Sequence, residues 1–168
     1  MKKTALIYSV NSKNTSQVAQ QILDHLKDVK LEIINAETLT EEQFLAYDNY
    51  ILGVSTWFDG ELPNYWDEFG PAMEDLNLKQ KNFAIFGLGD QVNYPENFVD
   101  AVGILAGMIE NSGGKIVGLT SSKEYKFEHS KALRDEKLLG LAIDTKNQSP
   151  LTIPRITKWI EQLKKEFS

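Results

Sequence analysis

Five short apolar runs, Ala5 to Tyr8, Leu31 to Ile34, Tyr50 to Val54, Phe83 to Phe86 and Ile116 to Leu119, alternate along this chain with longer stretches of helical periodicity. Runs of four or five residues rich in β-branched and aromatic side chains read as strands. Between and after them, apolar residues recur every third or fourth position: Val18, Ile22 and Leu26; Trp66, Phe69 and Met73; Phe98, Val102, Leu105 and Ile109; Ile156, Trp159 or Ile160, and Leu163. Strands that alternate with helices pair in parallel, because each crossover returns the chain to the same end of the sheet and its helix covers one face. The pattern therefore predicts an α/β chain, a parallel sheet between two helical layers.

The fifth run does not lead directly into the last helical stretch. Residues 120–151 intervene, polar but carrying Tyr125, Phe127 and an apolar patch from Leu138 to Ile143. No internal repeat, low-complexity tract or linker composition justifies a cut, so residues 1–168 are expected to form one domain, a normal size for a single core.

The chain has no cysteine. That excludes a disulfide framework, an iron–sulfur cluster, a thiolate zinc site and a cysteine nucleophile, so any redox chemistry must come from a bound cofactor. Only five residues, Thr4 to Tyr8, follow Met-Lys-Lys before polar Ser9, too short for a secretory core, and no run of about twenty apolar residues follows. A soluble, cytoplasmic protein with no membrane association is expected. Net charge is −6, but from Leu31 to Gly114 fifteen acidic residues face two basic ones, Lys79 and Lys81, and the remainder is net positive by seven. Nucleic-acid binding calls for the reverse. The acidic middle suits a partner with a basic patch, or equally a solubilising surface.

In such a sheet, ligands sit beyond the carboxyl ends of the strands at the switch in strand order, which selects the loops after Tyr8, Val54 and Gly87. The first, Ser9 to Thr15, ends where a helix begins; its backbone N–H groups and the hydroxyls of Ser12 and Thr15 could receive an anion, or Ser12 or Asn14 could simply cap the helix. It lacks the Walker pattern. The second, Ser55-Thr56-Trp57-Phe58-Asp59-Gly60-Glu61-Leu62-Pro63, holds a tryptophan outside both hydrophobic periods, suited to ring stacking. Trp66 and Trp159 fall on helical apolar stripes and are expected in the core. The third, from Gly87 through Leu88, Gly89 and Asp90 to Tyr94, Asn97 and Phe98, offers two glycines for close backbone approach, an acid and an aromatic; alone, Tyr94 reads as a turn residue before Pro95. Together the loops supply an anion cradle, two aromatic plates and a hydrogen-bond acceptor, which matches a phosphate attached to a planar heterocycle.

Three stretches carry a family resemblance: Thr56-Trp57-x-x-Gly60-Glu61-Leu62-x-x-x-Trp66, Gly87-x-Gly89-Asp90-Gln91-x-x-Tyr94-x-x-Asn97-Phe98-x-Asp100-Ala101, and Tyr125-x-Phe127-x-x-Ser130-Lys131-Ala132-Leu133-Arg134. The chain resembles the flavodoxins, and the insertion with Gly140-Leu141-Ala142-x-Asp144 resembles their long-chain branch. Flavodoxins are themselves a standard illustration of ligand placement at a switch point. The resemblance implies a flavodoxin-like three-layer α/β/α sandwich, with a five-stranded parallel sheet in the order 2-1-3-4-5 and the insertion in the fifth-strand region. It also implies non-covalent FMN and low-potential one-electron transfer between redox proteins. Val10, Asn11, Ser12, Lys13, Asn14 and Thr15 would hold the phosphate. Trp57 and Tyr94 would flank the isoalloxazine, Asp90 would meet its pyrimidine edge, and Ser55, Thr56, Phe58, Asp59, Gly60, Gly87, Leu88, Gly89, Asn97 and Phe98 would complete the site. The peptide joining Phe58 to Asp59 would turn toward the flavin on reduction. A flavin-dependent reductase as donor, a low-potential enzyme as acceptor, both with basic docking surfaces, and a monomeric state are the expected partnerships.

Two positions depart from the family pattern. Val10 replaces a hydroxyl residue, and Lys13 replaces a glycine, where a positive φ would cost roughly 1 kcal/mol unless offset by pairing of the ammonium with the phosphate. The alternative, a flavodoxin-like NAD(P)H:quinone reductase, needs one flavin face open to substrate, which Trp57 and Tyr94 would block. A phosphoacceptor receiver domain requires acids at the ends of the first and third strands, where Tyr8-Ser9 and Val54-Ser55 stand. His25 and His129 are expected at the surface rather than as ligands.

Overall fold

A computed structural model describes residues 2–167. The apolar runs become β1 (Thr4–Tyr8), β2 (Leu31–Asn35), β3 (Asn49–Ser55), β4 (Asn82–Leu88) and β5 (Lys115–Val117). They pair in parallel in the order β2-β1-β3-β4-β5, the expected topology. The periodic stretches become α1 (Lys13–Asp24), α3 (Asn64–Glu74), α4 (Asp100–Asn111) and α5 (Thr152–Glu166).

Successive strand residues point to opposite faces, and here both faces are dry. Ile7, Leu52, Phe83 and Ile85 join a core with Trp66 and Met73 of α3 and Leu105 and Ile109 of α4. Leu6, Ile51, Ala84 and Phe86 pack instead against α1 and α5, where Ile22, Trp159 and Leu163 are buried. Trp66 and Trp159 thus lie in the two cores, as their periodicity predicts.

A further helix, α2 (Glu41–Leu45), is too short to show a period. It is set by a capping box: the Gln43 amide donates to Thr40 Oγ1 at 3.2 Å, and the Thr40 amide donates to Gln43 Oε1 at 3.0 Å. Its buried Phe44 packs against the rings of Tyr50, Phe69 and Phe83.

The fifth strand is divided. β5 pairs only with Asn82 to Ala84 of β4, and the chain then leaves the sheet at Gly118, whose φ of 72° a side chain would resist. Trp159 Nε1 donates to the Gly118 carbonyl at 2.8 Å and fixes this exit. The insertion forms a small antiparallel sheet from β6 (Thr120–Ser121), β7 (Leu133–Arg134) and β8 (Lys137–Leu138), ordered β6-β8-β7. It returns as β9 (Leu141–Ile143), parallel to Phe86 to Leu88. One sheet position is therefore filled by two segments, with the insertion between them.

The insertion is tied to α4 by a close approach at Gly103, where an added Cβ would lie 2.1 Å from the Lys131 carbonyl oxygen; at Gly107, one turn on, it would meet nothing within 4 Å. Gly107→Ala should raise stability by about 0.5–1 kcal/mol through helix propensity. Gly103→Ala gains the same propensity but forces backbone apart, an overpacking cost of about 1–3 kcal/mol, and should be net destabilising. Urea unfolding of the two variants checks this: midpoints shifted in the same direction would contradict it.

Candidate cofactor site

Parallel pairing carries the loops after β1, β3 and β4 to one edge of the sheet. At the first, Ser12 is the N-cap of α1 with extended backbone, yet no side chain caps the helix. Ser12 Oγ donates instead to Thr15 Oγ1 at 3.0 Å. Among the described residues, the amides of Lys13, Asn14 and Thr15 meet no acceptor, so three donors converge at the positive end of the helix macrodipole. An anion with several acceptor oxygens fits them.

Lys13 does not adopt a positive φ. Lys13 is the first helical residue, and the left-handed non-glycine residues lie elsewhere. Val10 is exposed and its amide reaches Asn35 Oδ1 at 3.4 Å. The Asn11 side chain is engaged, donating to Glu37 Oε2 at 2.6 Å, while Ser9 Oγ donates to Glu37 Oε1 at 2.9 Å. What this loop offers is therefore backbone amides and the Ser12–Thr15 hydroxyl pair rather than the Asn11 amide group.

The second and third loops enclose a cleft of about 340 Å³ lined by Thr56, Phe58, Asp59, Gly89, Asp90, Tyr94, Asn97, Phe98 and Val99. That volume falls within the usual range for small-ligand sites. Phe58 and Tyr94 are 77% and 59% exposed, large rings left in water at its walls. Trp57 does not line the cleft. It sits edge-on to Phe58 and Tyr65, and its Nε1 donates to Ser55 Oγ at 3.1 Å. Paired hydrogen bonds between Trp57 and Glu61 close the loop's turn.

The second loop is fastened to the third. The Asn97 side chain donates to the Asp59 carbonyl at 2.9 Å, and the Ala101 amide donates to Thr56 Oγ1 at 3.2 Å. Gly60, at φ 95°, lets them meet: an added Cβ would lie 2.6 Å from Asp100 Oδ2 and 2.9 Å from Asn97 Nδ2. Two cleft residues, Phe58 (φ 46°) and Val99 (φ 45°), occupy the left-handed region without being glycine. Such strain, about 1–2 kcal/mol for each residue, persists where the surroundings over-determine the backbone.

Asp90 is held from several sides. Its Oδ1 accepts from the amides of Asn93 at 2.9 Å and Val92 at 3.1 Å and from Asn147 Nδ2 at 2.8 Å, and Oδ2 accepts from Asn93 Nδ2 at 2.7 Å. Burial alone would push its pKa up, but these hydrogen bonds, that from the Asn93 amide foremost, hold it down at about 2. Asn147 continues to the buried Asp144, which also accepts from the amide and side chain of Gln91 at 3.1 and 2.8 Å. Burial opposes ionisation of Asp144 too, and the hydrogen bonds from Asn147 and Gln91 keep its pKa low. Gln91 Oε1 in turn accepts the Lys126 amide at 2.6 Å. The insertion thus clamps the third loop.

Several expected site residues also have structural roles. Gly87 makes room for Val102 of α4, since an added Cβ would lie 2.3 Å from Val102 Cγ2. Phe98, though at the cleft, is 1% exposed and stacks on Phe127 at 5.3 Å. Leu88 ends β4, with its amide neighbour Gly89 bonded to the Ile143 carbonyl. Sequence reasoning missed Val99, for a β-branched residue gives no sign of left-handed backbone, and Asn147, which lies 57 positions from Asp90 with no motif to link them. His129 is exposed, while His25 is half-buried and bridges α1 to Thr157 of α5 at 3.0 Å.

The family model described as Flavodoxin matches residues 6–159. A flavodoxin of Nostoc sp. (strain PCC 7120) is 40% identical over 166 residues, covering 99% of this chain and 98% of the relative. Flavodoxin 1 of Escherichia coli (strain K12) is 36% identical over 165 residues, covering 98% and 94%. Among solved structures, Fusobacterium nucleatum flavodoxin bound to flavin mononucleotide superposes with a TM-score of 0.94 at 31% identity and full coverage of both chains. Its K13G mutant, likewise bound to flavin mononucleotide, gives 0.95 at 30% identity over 100% and 98%. With the sheet order, the divided fifth strand and the cleft edged by exposed rings, these matches show that the chain belongs to the flavodoxin family.

Proposed function

We propose that this protein binds FMN non-covalently and carries single electrons between redox proteins. The observation that carries this reading is its full-length likeness to a flavodoxin bound to flavin mononucleotide. A phosphate ester of a planar ring also fits the residues present, for three unpaired amides stand at the start of α1 and an aromatic-edged cleft opens at the same sheet edge. The quinone-reductase alternative is not favoured, since the curated relatives matched over their full length are flavodoxins.

In this reading the amides of Lys13, Asn14 and Thr15 and the hydroxyls of Ser12 and Thr15 hold the phosphate, with the exposed Lys13 ammonium free to approach it. Tyr94 covers one face of the ring. Phe58, backed edge-on by Trp57, covers the other. Thr56, Asp59, Gly89, Asp90 and Asn97 border the ring, with Ser55, Gly60, Gly87 and Leu88 supporting the loops behind. Bound FMN supplies reversible one-electron redox chemistry. The protein adds aromatic walls that exclude water and an acidic border, Asp59, Glu61 and Asp90, that disfavours negative charge on the ring. The Asp59 carbonyl is already held by Asn97, which pins the Asp59–Gly60 peptide and leaves the preceding Phe58–Asp59 peptide as the one next to the left-handed Phe58.

Acidic residues dominate from Leu31 to Gly114, which supports docking to basic surfaces of a flavin-dependent reductase as donor and a low-potential enzyme as acceptor. No described helix is long and apolar enough to cross a membrane. A monomeric, single-domain cytoplasmic carrier completes the proposal.

Titrating FMN with apoprotein while following flavin fluorescence tests the site. Tyr94→Ala should weaken binding roughly tenfold, the equivalent of about 1.4 kcal/mol for a lost stacking face; unchanged affinity would remove Tyr94 from the ring. Asp90→Asn should make addition of the second electron easier, raising that potential in a redox titration by an amount on the order of 1 kcal/mol of coulombic interaction. The same variant carries a pH signature. The folded pKa of Asp90, about 2, lies below its ordinary value of 3.8, so the stability it contributes is complete above about pH 4 and lost as pH falls toward 2. Acid unfolding of Asp90→Asn should show a shallower loss across that window; parallel curves would contradict the assignment.

A further inference from the structure

On the side of the molecule formed by the insertion and α5, a second cleft of about 530 Å³ opens. Four cations line it, Lys123, Lys137, Arg155 and Lys158, against a single acid, Glu124. The rest of the lining includes the apolar surfaces of Leu119, Leu141 and Trp159. A cationic rim over an apolar floor is unusual in a protein of net charge −6, and it falls in the part of the chain that is net positive.

Arg155 is the distinctive group. Its side chain is only 10% exposed, a burial that guanidinium groups rarely reach without full pairing. The guanidinium lies over the Tyr125 ring, 4.2 Å from the centroid, and Nη1 donates to Gln148 Oε1 at 2.8 Å. Nη2 is buried and makes no hydrogen bond; its ion pair, with Glu124 Oε2 at 3.5 Å, is to a side chain that is 71% exposed. A buried donor left without a hydrogen bond costs about 1–3 kcal/mol, and an incoming anion could supply that bond.

We infer that this cleft is a second binding site, one for a small organic anion with a flat apolar body: a carboxylate, sulfonate or phosphate ester for Arg155 and the lysines, and an aromatic portion for the floor beside Trp159. The ligand is small because Arg155 is recessed and the cleft has the volume of a small-molecule site. The site shares no lining residue with the cleft between the second and third loops, so the inference does not depend on FMN.

The test uses FMN-loaded protein titrated with naphthalene-2-sulfonate, followed in amide NMR spectra. Saturable shifts should appear at the amides of Leu119 to Tyr125 and at the Trp159 indole N–H, with a dissociation constant below a millimolar and no change in the flavin's visible spectrum. The uncharged analogue naphthalene-2-sulfonamide and inorganic phosphate alone should each bind at least tenfold more weakly, since each supplies half of the recognition. The double substitution Lys137→Glu with Lys158→Glu, both at the cleft and outside the packed core, should weaken the sulfonate at least tenfold while leaving FMN affinity intact. Absence of saturable shifts at millimolar probe, equal binding of the sulfonamide, or indifference to the double substitution would each overturn the inference. Arg155→Met is the second variant: in a folded holoprotein it should abolish the shifts, and their persistence would remove Arg155 from the site.

Discussion

The structure is organised by β4. Its seven residues pair in parallel with β3 along their whole length, with β5 at the start and with β9 at the end, while its side chains enter both helical cores. A strand buried on both faces must give every backbone donor and acceptor a partner, and β5 satisfies only its first half. The second half is supplied by β9, from the far end of the insertion. The insertion is consequently part of the sheet's hydrogen-bonding economy rather than an ornament on it, and losing β9 would expose the last residues of β4, just where the third loop leaves.

That coupling explains how the third loop is shaped. Asp90 follows β4 by two residues and Asp144 follows β9 by one, so parallel pairing places the two acids side by side. Unpaired, they would repel. Asn147 and Gln91 donate to them instead, and Asn147 reaches both. Hydrogen bonds from amide donors offset the burial of each carboxylate and keep its pKa low, and at Asp90 the exposed Lys146 ammonium adds a distant ion pair at 3.9 Å. The result is a loop whose negative charge is fixed beside the cleft, and charge held by hydrogen bonds has little freedom to reorient when charge on a ligand changes.

The architecture was legible because it rests on periodicity. Alternating strand and helix patterns dictated a parallel sheet with two covered faces, and placed Trp66 and Trp159 in the cores where they lie. The loop motifs were legible as a set, since aromatic and glycine positions that are individually weak converge at one sheet edge. What could not be read depends on three dimensions. Phe58 lines the cleft with Trp57 edge-on to it, and the left-handed backbone at Phe58 that sets this arrangement is announced by no residue type. Lys13 stands where the family pattern has glycine, yet it needs no positive φ because the helix begins at that residue. α2 was missed because five residues carry no period, although its capping box is written in Thr40 and Gln43.

Charge is distributed along the chain in blocks, and the fold turns those blocks into sides. The acidic block from Leu31 to Gly114 includes the second and third loops and therefore surrounds the first cleft, while the basic remainder includes the insertion and α5. At physiological ionic strength surface charges are screened over about 8 Å, so the two regions act on their surroundings almost independently. The acidic border of the first cleft is therefore little affected by the lysines beside Arg155. The insertion reaches both regions: Asn147 at one end of it braces Asp90, and Lys123, Glu124 and Lys137 line the second cleft. It thus links the two regions physically, and the Lys126 amide is bonded to Gln91 of the third loop.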